Sequence, residues 1–235
     1  MQLSKRLLAV SEMVTSNSRL ADIGTDHGYI PIYLIENKRV PRAIAMDVNK
    51  GPLNRAKENI ERHGLENYIE TRQSDGAAAL HSGEVDAVVI AGMGGGLVMK
   101  ILTEGSGVLE SVKELILQPQ SELAFVRRFL QDNNYAVVEE NMVLDEGKYY
   151  PMMKVVHGKM DYNREIDFKY GRLLLEQKNE CLKSFLEKEE KTYEKVLETL
   201  RENDSDHAKQ RIAEVEHELK CIRTAREDCA CKEQN

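Results

Sequence analysis

The sequence has 235 residues, 41% of them hydrophobic and 31% charged, which is typical of a folded protein with room for a large domain and a smaller one. A formal net charge of -7 argues against broad, non-specific nucleic-acid binding, which needs many unopposed Lys and Arg contacts to phosphate. No segment approaches the roughly 20 consecutive apolar residues that cross a bilayer, so we expect no membrane partner and a cytoplasmic location.

Short apolar runs alternate with amphipathic helical patterns from residue 18 to about residue 157. This alternation is typical of βα units and a parallel sheet. The run at 87–91 is apolar throughout and predicts the central strand, because both of its faces must be covered. The predicted parallel strands span residues 19–23, 43–47, 69–72, 87–91 and 114–118.

The pattern changes after a predicted helix around residues 122–131. Two strand-like runs at 135–139 and 154–156 flank a segment with no helical periodicity, and residues 145–147 (Asp-Glu-Gly) are a turn signal. Antiparallel strands should therefore end the sheet. The predicted fold class is α/β, a class I methyltransferase Rossmann-like sheet that is parallel with a terminal antiparallel hairpin, whereas a nicotinamide-binding sheet stays parallel throughout.

Glu, Lys and Leu dominate the sequence beyond residue 160. We therefore predict a methyltransferase domain of residues 1–160 followed by a C-terminal helical domain of residues 161–235. Residues 203–206 offer a break followed by helix-capping side chains, so we expect a coiled-coil-like hairpin of two helices. The apolar stripes of the hairpin either pack in its own core, form a dimer interface or bind a partner. The chain is accordingly expected to be a monomer or a homodimer. Its two apolar stripes are Leu182, Phe185, Leu186, Tyr193, Val196, Leu197 and Leu200, and Ile212, Val215, Leu219 and Ile222.

The four cysteines, Cys181, Cys221, Cys229 and Cys231, all lie in the last quarter of the chain. Free thiols are the favoured interpretation. A zinc site built from Cys221, Cys229, Cys231 and His217 would lack the paired C-x-x-C spacing of structural zinc sites. We therefore expect no metal.

The most informative segment is residues 22–31, directly after the first predicted strand. Gly24 and Gly28 let the backbone turn tightly and approach a ligand, and Pro31 is tolerated in the first turn of the next helix. This segment predicts a binding loop between a strand and a helix.

The side chains of this loop disfavour a pyrophosphate. A dinucleotide fingerprint would need glycine where Asp26 and Tyr29 stand. Carboxylates at this turn instead favour S-adenosylmethionine, which carries a sulfonium and an ammonium group but no phosphate. The alternative is that Asp22 and Asp26 only cap the following helix.

Two further carboxylates follow the second and third strands. Asp47 can accept both hydroxyls of a ribose, and Asp75 can accept from an adenine amino group, with Gly76 leaving room for the ring. Each alone is equally consistent with a turn. Together they place three carboxylates on one edge of the sheet, where open α/β sheets bind ligands.

A run with almost no side chains, residues 91–96, follows the fourth strand. Bare backbone there could cradle a flat base next to the methyl donor, although a flexible hinge is the alternative. After the fifth strand, Gln118 and Gln120 supply amides that could bond a base edge. We assign Gly92 and Met93 to the donor and Gly94, Gly95 and Gln118 to the substrate.

Three motifs resemble the bacterial tRNA (adenine-22-N1)-methyltransferases of the TrmK family: DIGTDHGYIP at 22–31, AGMGG at 91–95 and LQPQ at 117–120. The resemblance covers nearly the whole chain. It implies S-adenosylmethionine as donor and a transfer RNA substrate held partly by the C-terminal helices. The predicted donor site comprises Asp22, Gly24, Asp26, His27, Gly28, Asp47, Asp75, Gly76, Gly92 and Met93.

Methylation at N1 of adenine mainly requires that N1 be aligned with the methyl group of the donor, because the N1 lone pair is nucleophilic without deprotonation. Asp26 could stabilise the positive charge left on the ring, and His27 could manage protons or merely hydrogen-bond the loop. The target base must be flipped out or already unpaired.

For phosphate contacts we select Arg6 and Arg127, with Lys5 and Arg128 beside them, although such residues are more often solvated surface charges. Two other functions stay open. The acidic surface suits a methyltransferase acting on a small molecule, and the helical hairpin suits a non-enzymatic interaction protein with a vestigial pocket.

Overall fold

The computed structural model describes residues 1–202 and 205–230, without the side chains of residues 206 and 207. The chain divides into two compact units, Met1–Asp161 and a second that begins at Tyr162. No described helix is long and apolar enough to span a membrane.

The first unit contains a seven-stranded sheet in the order β3-β2-β1-β4-β5-β7-β6. The strands β1 to β5 run parallel to one another, while β7 is antiparallel to both β5 and β6. The predicted parallel sheet with a terminal hairpin is confirmed. The strands are β1 Leu20–Ile23, β2 Ala43–Asp47, β3 Ile69–Gln73, β4 Ala87–Met93, β5 Glu114–Pro119, β6 Tyr135–Asp145 and β7 Lys148–His157.

The helices of this unit connect the strands. The side chains of Leu7, Val10 and Met13 in the opening helix pack against the core, as the amphipathic start of the chain predicts. The helices are α1 Lys5–Glu12, α2 Tyr29–Glu36, α3 Lys50–Arg62, α4 Gly95–Glu104, α5 Ser106–Leu109 and α6 Leu123–Asp132.

The centre of the sheet is dry. Residues 87–90 of β4 are 0% exposed, which confirms the central strand predicted from their uniform hydrophobicity. The strand order reverses between β1 and β4, because the chain builds outward from β1 to β3 and then returns to start β4 beside β1. The carboxyl ends of strands at such a reversal form the crevice in which α/β sheets bind ligands.

The terminal hairpin is longer than the sequence indicated. β6 and β7 pair from Tyr135–His157 to Asp145–Lys148, with a bulge between Val137 and Glu139. The bulge places one extra residue in β6 and resets the alternation of buried and exposed side chains. Val138 is consequently 50% exposed, so the alternating pattern breaks inside one continuous strand.

The second unit starts with a π-helical turn, Asp167–Gly171, and the short helix α7 Arg172–Glu176. Helices α8 Glu180–Arg201 and α9 Asp206–Ala230 then pack on each other. Arg223 bonds Glu190 and Arg201 bonds Glu216, so the helices are antiparallel. The predicted helical hairpin is present.

The apolar stripes predicted for the hairpin are mostly buried between the helices. Leu197, Val215 and Leu219 form the core cluster, with Tyr193, Leu200 and Ile212 packed against it. Val196 was wrongly included in the stripe. It is 38% exposed, because it lies about 100° around the helix from Leu197.

The cysteines are separate from one another along the hairpin. Cys221 and Cys229 are buried free thiols on α9, and Cys181 is a partly exposed free thiol on α8. Cys221 and Cys229 lie about 12 Å apart along the helix axis, so they cannot share one metal ion. Cys231 lies outside the described residues.

Candidate functional site

The loop after β1 turns sharply at Gly24. Its φ is 78°, and the N–H groups of Gly24 and Thr25 both donate to the carbonyl oxygen of Met46 at 2.8 Å. Gly28, with a φ of 69°, then caps the start of α2. Both glycines occupy the left-handed region that a side chain disfavours, so the backbone of this loop is fixed by its glycine positions.

Asp22 is a carboxylate buried without a countercharge. Its exposed fraction is 5%, and among the described residues no Lys or Arg pairs with it. Burial raises the pKa of Asp22 to about 6, the charge of Asp47 adds to the shift, and the Thr25 hydroxyl opposes it. A buried carboxylate in this state is stabilised by a positively charged ligand.

Asp47 and Asp75 lie at the neighbouring strand ends. Asp47 Oδ1 accepts from the Asn49 N–H at 2.7 Å. The Ser74 N–H donates to the Asp47 carbonyl oxygen at 3.0 Å, which joins the ends of β2 and β3. Asp75 then projects into solvent, with Lys100 Nζ 3.8 Å from its Oδ2. The structure thus brings the carboxylates after β1, β2 and β3 to one rim.

The end of β4 meets the loop after β1. Gly92 is exposed, with a φ of 80°, and the methyl group of Met93 lies against Gly24. Gly76, with a φ of 56°, lies at the neighbouring edge and packs on Ile101. Bare backbone and carboxylates therefore lie together at the carboxyl ends of the neighbouring strands β1 and β4.

Gly95 does not face this opening. It is buried at the start of α4, its N–H donates to Ser121 Oγ at 3.2 Å, and a Cβ there would lie 2.5 Å from the Ser121 carbonyl oxygen. Packing of α4 against the loop after β5 accounts for this glycine, so the expected contact with a base does not fit. Gly94 remains exposed beside Ser121.

Arg6 reaches the same rim from α1. Its Nη1 donates to Gln118 Oε1 at 3.0 Å, and the Gly92 N–H donates to that oxygen at 3.2 Å. The guanidinium lies over the Tyr150 ring, 5.4 Å from its centroid, and the Arg6 N–H donates to Asp145 at 3.0 Å. Arg6 is therefore fixed beside Gly92.

The contacts of Gln118 change its expected role. Gln118 is 0% exposed and its oxygen already accepts two bonds, so it positions Arg6 and Gly92 and does not reach a base edge. The Gln120 amide, within 3.8 Å of a Cβ built on Gly92, is the accessible amide of this motif. Sequence reasoning missed Asp145 and Tyr150, because no local pattern indicates that the distant hairpin supports α1.

Arg127 requires a correction. It is 0% exposed, and its Nε and Nη2 bond Glu140 Oε1 at 2.9 and 2.8 Å. A buried guanidinium bound to a buried carboxylate cannot reach a phosphate at the surface. Its neighbour Arg128 is exposed.

Asp26 and His27 lie at the outer edge of the loop. The Asp26 side chain is 63% exposed, with Arg55 Nη2 at 2.9 Å and His27 Nε2 at 3.5 Å. His27 has a φ of 63°, its carbonyl oxygen accepts from Asn59 Nδ2 at 3.0 Å, and its ring stacks on Tyr29 at 5.1 Å. Backbone strain held by a specific bond is typical of functional loops. Arg55 and Asn59 were not identified from the sequence, because neither belongs to a recognisable motif.

Comparison with known proteins agrees with this geometry. The sequence model of the tRNA (adenine(22)-N(1))-methyltransferase family, TrmK, matches residues 20–224. The tRNA (adenine(22)-N(1))-methyltransferase of Bacillus subtilis strain 168 is 32% identical over 232 residues, which cover 95% of this chain and 96% of the relative.

Solved structures resemble the whole chain. A Streptococcus pneumoniae protein in complex with S-adenosyl-L-methionine is 33% identical with a TM-score of 0.87, covering 96% of this chain and 100% of the other. M. capricolum TrmK in complex with S-adenosyl-homocysteine is 28% identical with a TM-score of 0.83, covering 97% and 100%. By family match, by identity over almost its full length and by fold, this chain belongs to the TrmK family of tRNA (adenine(22)-N(1))-methyltransferases.

Proposed function

We propose that this protein transfers the methyl group of S-adenosylmethionine to N1 of adenine 22 in transfer RNA. The observation that carries the proposal is the buried Asp22, which pairs with no Lys or Arg of the described residues, beside bare backbone at the ends of β1 and β4. The residues present fit the donor, because its net positive charge would supply a countercharge to Asp22 and it carries no phosphate that needs a phosphate-binding loop. The family's relatives act on transfer RNA, which this chain would meet in the cytoplasm.

The donor-binding roles follow from position along the rim. Asp22 would balance the positive charge of the donor, and Asp47 would accept from its ribose hydroxyls. Asp75 would accept from its adenine amino group, with Gly76 leaving space. Gly24 and Gly28 allow the backbone to approach. When bound, S-adenosylmethionine supplies an electrophilic methyl group on a sulfonium.

The chain itself has little chemistry to perform, since adenine N1 attacks through an available lone pair. Its tasks are to hold the flipped base, exclude water and tolerate the positive charge of the methylated ring. Asp26 would offset that charge, and its contact with Arg55 Nη2 at 2.9 Å would hold it in position. His27 is held by Asn59 at the edge of the same loop, where it can accept a proton.

The substrate side of the site would comprise Gly94 and Arg6, next to the Gly92 backbone that is assigned to the donor. Arg6 Nη1 lies 3.4 Å from a Cβ built on Gly92, so its guanidinium borders the backbone on which the base would rest. A fixed guanidinium there suits a phosphate next to the target nucleotide.

Label transfer tests the proposal. Purified protein, methyl-labelled S-adenosylmethionine and unmodified transfer RNA should give labelled RNA, and replacing adenine 22 with guanine should abolish the label. Asp47→Ala should lose donor binding and labelling. Asp132→Ala, an exposed carboxylate at the end of α6, should retain both. Protein that binds the donor and leaves transfer RNA unlabelled would refute the proposal.

Salt dependence separates this function from methylation of a small molecule. Binding of transfer RNA displaces counterions from phosphates, so its affinity should fall steeply as ionic strength rises. A flat dependence of substrate KM on salt would favour a small, neutral substrate.

A further inference from the structure

Three side chains that can bind a metal meet in the second unit, outside the proposed donor site in the first unit. His217 and Cys221 lie one turn apart on α9, and Glu165 approaches them from the segment before the π-helical turn. His217 Nε2 lies 3.0 Å from Glu165 Oε2 and 3.7 Å from Cys221 Sγ. The ligand atoms all lie within 4.8 Å of one another.

Two of these separations are close to those of a tetrahedral zinc site, and the third, between Cys221 Sγ and Glu165, is within 4.8 Å. With Zn–S of about 2.3 Å and Zn–N or Zn–O of about 2.0–2.2 Å, tetrahedral angles place sulfur and nitrogen about 3.6 Å apart and nitrogen and oxygen about 3.3 Å apart. The observed distances of 3.7 and 3.0 Å differ from these by a few tenths of an ångström, a change that small side-chain rotations can supply.

We infer that Glu165, His217 and Cys221 form a zinc site, with water as the fourth ligand. Thiolate, imidazole and carboxylate together are a ligand set that zinc favours. On binding, the Cys221 thiol releases its proton to solvent and its sulfur bonds the metal. His217 binds through Nε2, which gives up the proton facing Glu165 while the neutral imidazole carries its proton on Nδ1, and no oxidation state changes. Glu165 and His217 are exposed while Cys221 is buried, so the metal can enter from solvent onto a sheltered sulfur.

Lys169 explains how the cluster is held without metal. Its Nζ lies 3.0 Å from Glu165 Oε1 and 2.9 Å from Glu218 Oε1, so its ammonium balances both carboxylates. Both Glu165 oxygens lie within 3.1 Å of His217 Nε2. Zinc would take Glu165 Oε2 and leave Lys169 paired with Glu218.

The site would tie the start of the second unit to its last helix. Glu165 precedes the π-helical turn Asp167–Gly171, and His217 and Cys221 lie in the middle of α9. A ligand that binds only the folded form adds to stability by mass action. Zinc should therefore raise the unfolding temperature of the full-length protein without being needed for methyl transfer.

The test uses full-length protein that has been reduced and stripped of metal with a chelator. Titration with Co²⁺, the spectroscopic substitute for zinc, should give one equivalent of binding and a sulfur-to-cobalt charge-transfer band. Zn²⁺ should displace the Co²⁺ and raise the melting temperature. Cys221→Ser should lose the band and weaken zinc binding by more than the ~10–100-fold that loss of an outer-shell partner costs, and His217→Ala should weaken it similarly.

Cys229→Ser is the matched control, because Cys229 is a second buried thiol on the same helix outside the cluster. It should leave the band and the zinc affinity unchanged. A cobalt spectrum without a sulfur band, or a band that survives Cys221→Ser, would overturn the assignment. So would equal weakening by Cys221→Ser and Cys229→Ser. Glu165→Gln, which keeps the size of the side chain, should also weaken binding if the carboxylate is a ligand.

Discussion

The methyl group of Met93 lies against Gly24 and occupies the space that a Cβ at position 24 would take. This contact joins the end of β4 to the end of β1 at the point where the strand order reverses. A side chain at position 24 would have to displace Met93 into the donor site or enter that site itself.

Gly24→Ala should therefore abolish donor binding. It should also cost about 1–2 kcal/mol of unfolding free energy, because its φ of 78° is unfavourable for alanine. Calorimetry with S-adenosylmethionine and denaturant unfolding measure the two effects. Gly64→Ala is the control, since Gly64 has a φ of 67° with nothing within 4 Å of a built Cβ. It should lose similar stability and keep full donor affinity; equal loss of affinity in both variants would contradict the proposed site.

Asp22 should reduce the stability of the donor-free protein at neutral pH. Its folded pKa of about 6 lies above the unfolded value of 3.8, so the folded state binds more protons between these values and stability falls as pH rises through them. Asp22→Asn should remove this fall and raise the free energy of unfolding by up to about 2–3 kcal/mol at pH 7. Urea unfolding at pH 4, 5, 6 and 7 tests it, and parallel curves for the two proteins would contradict it.

The affinity for S-adenosylmethionine should change with pH in the opposite direction to the stability, because of the same residue, Asp22. Ionised Asp22 attracts the positively charged donor, so affinity should rise from pH 5 to pH 7. In Asp22→Asn the affinity should be at least about tenfold weaker at pH 7, or roughly 1.4 kcal/mol, and nearly constant with pH. A wild-type affinity that does not change between pH 5 and pH 7 would exclude Asp22 as the countercharge.

Arg127→Ala should damage the fold and leave RNA recognition intact in the protein that remains folded. Removing one partner of a buried ion pair costs about 3–5 kcal/mol, and Glu140 would be left buried and charged. Thermal unfolding measures this loss. Arg128→Ala, one residue on and exposed, should change stability by less than about 0.5 kcal/mol. Specific loss of RNA affinity at full stability in Arg127→Ala would show instead that Arg127 contacts the RNA.

Arg6→Ala should impair use of transfer RNA and spare the donor. We expect kcat/KM for transfer RNA to fall about tenfold, a loss of roughly 1.4 kcal/mol, with unchanged affinity for S-adenosylmethionine. Lys5→Ala, the exposed preceding residue, controls for the loss of one positive charge. If donor affinity falls together with kcat/KM, Arg6 acts by holding Gln118 and Gly92.

Local patterns predicted the sheet well where packing is regular. Four of the five parallel strands were found because each contains a short apolar run, and β4 was placed at the centre because its residues are apolar on both faces. β3, with Ile69 as its one apolar residue, was placed from its position between two predicted helices. The length of β6 and β7 was missed, because the bulge near Val138 breaks the period of two on which strand recognition depends.

The roles of charged and amide side chains were harder to predict. Arg127 and Arg128 are adjacent in sequence, yet the first is buried against Glu140 and the second is exposed. Likewise, Gln118 is buried and Gln120 is exposed. Which member of each pair faces the solvent depends on the strand or helix packed against it, and no local pattern carries that information.

By itself, the sequence determined the order of strands and helices, the glycines that turn the backbone and the carboxylates at successive strand ends, because each depends on residues close together in the chain. The tertiary structure alone decided that no Lys or Arg in the described part of the chain pairs with Asp22, that Met93 covers Gly24 and that Glu165 meets His217 and Cys221. These depend on distances between residues far apart in sequence, which are set only when the elements pack.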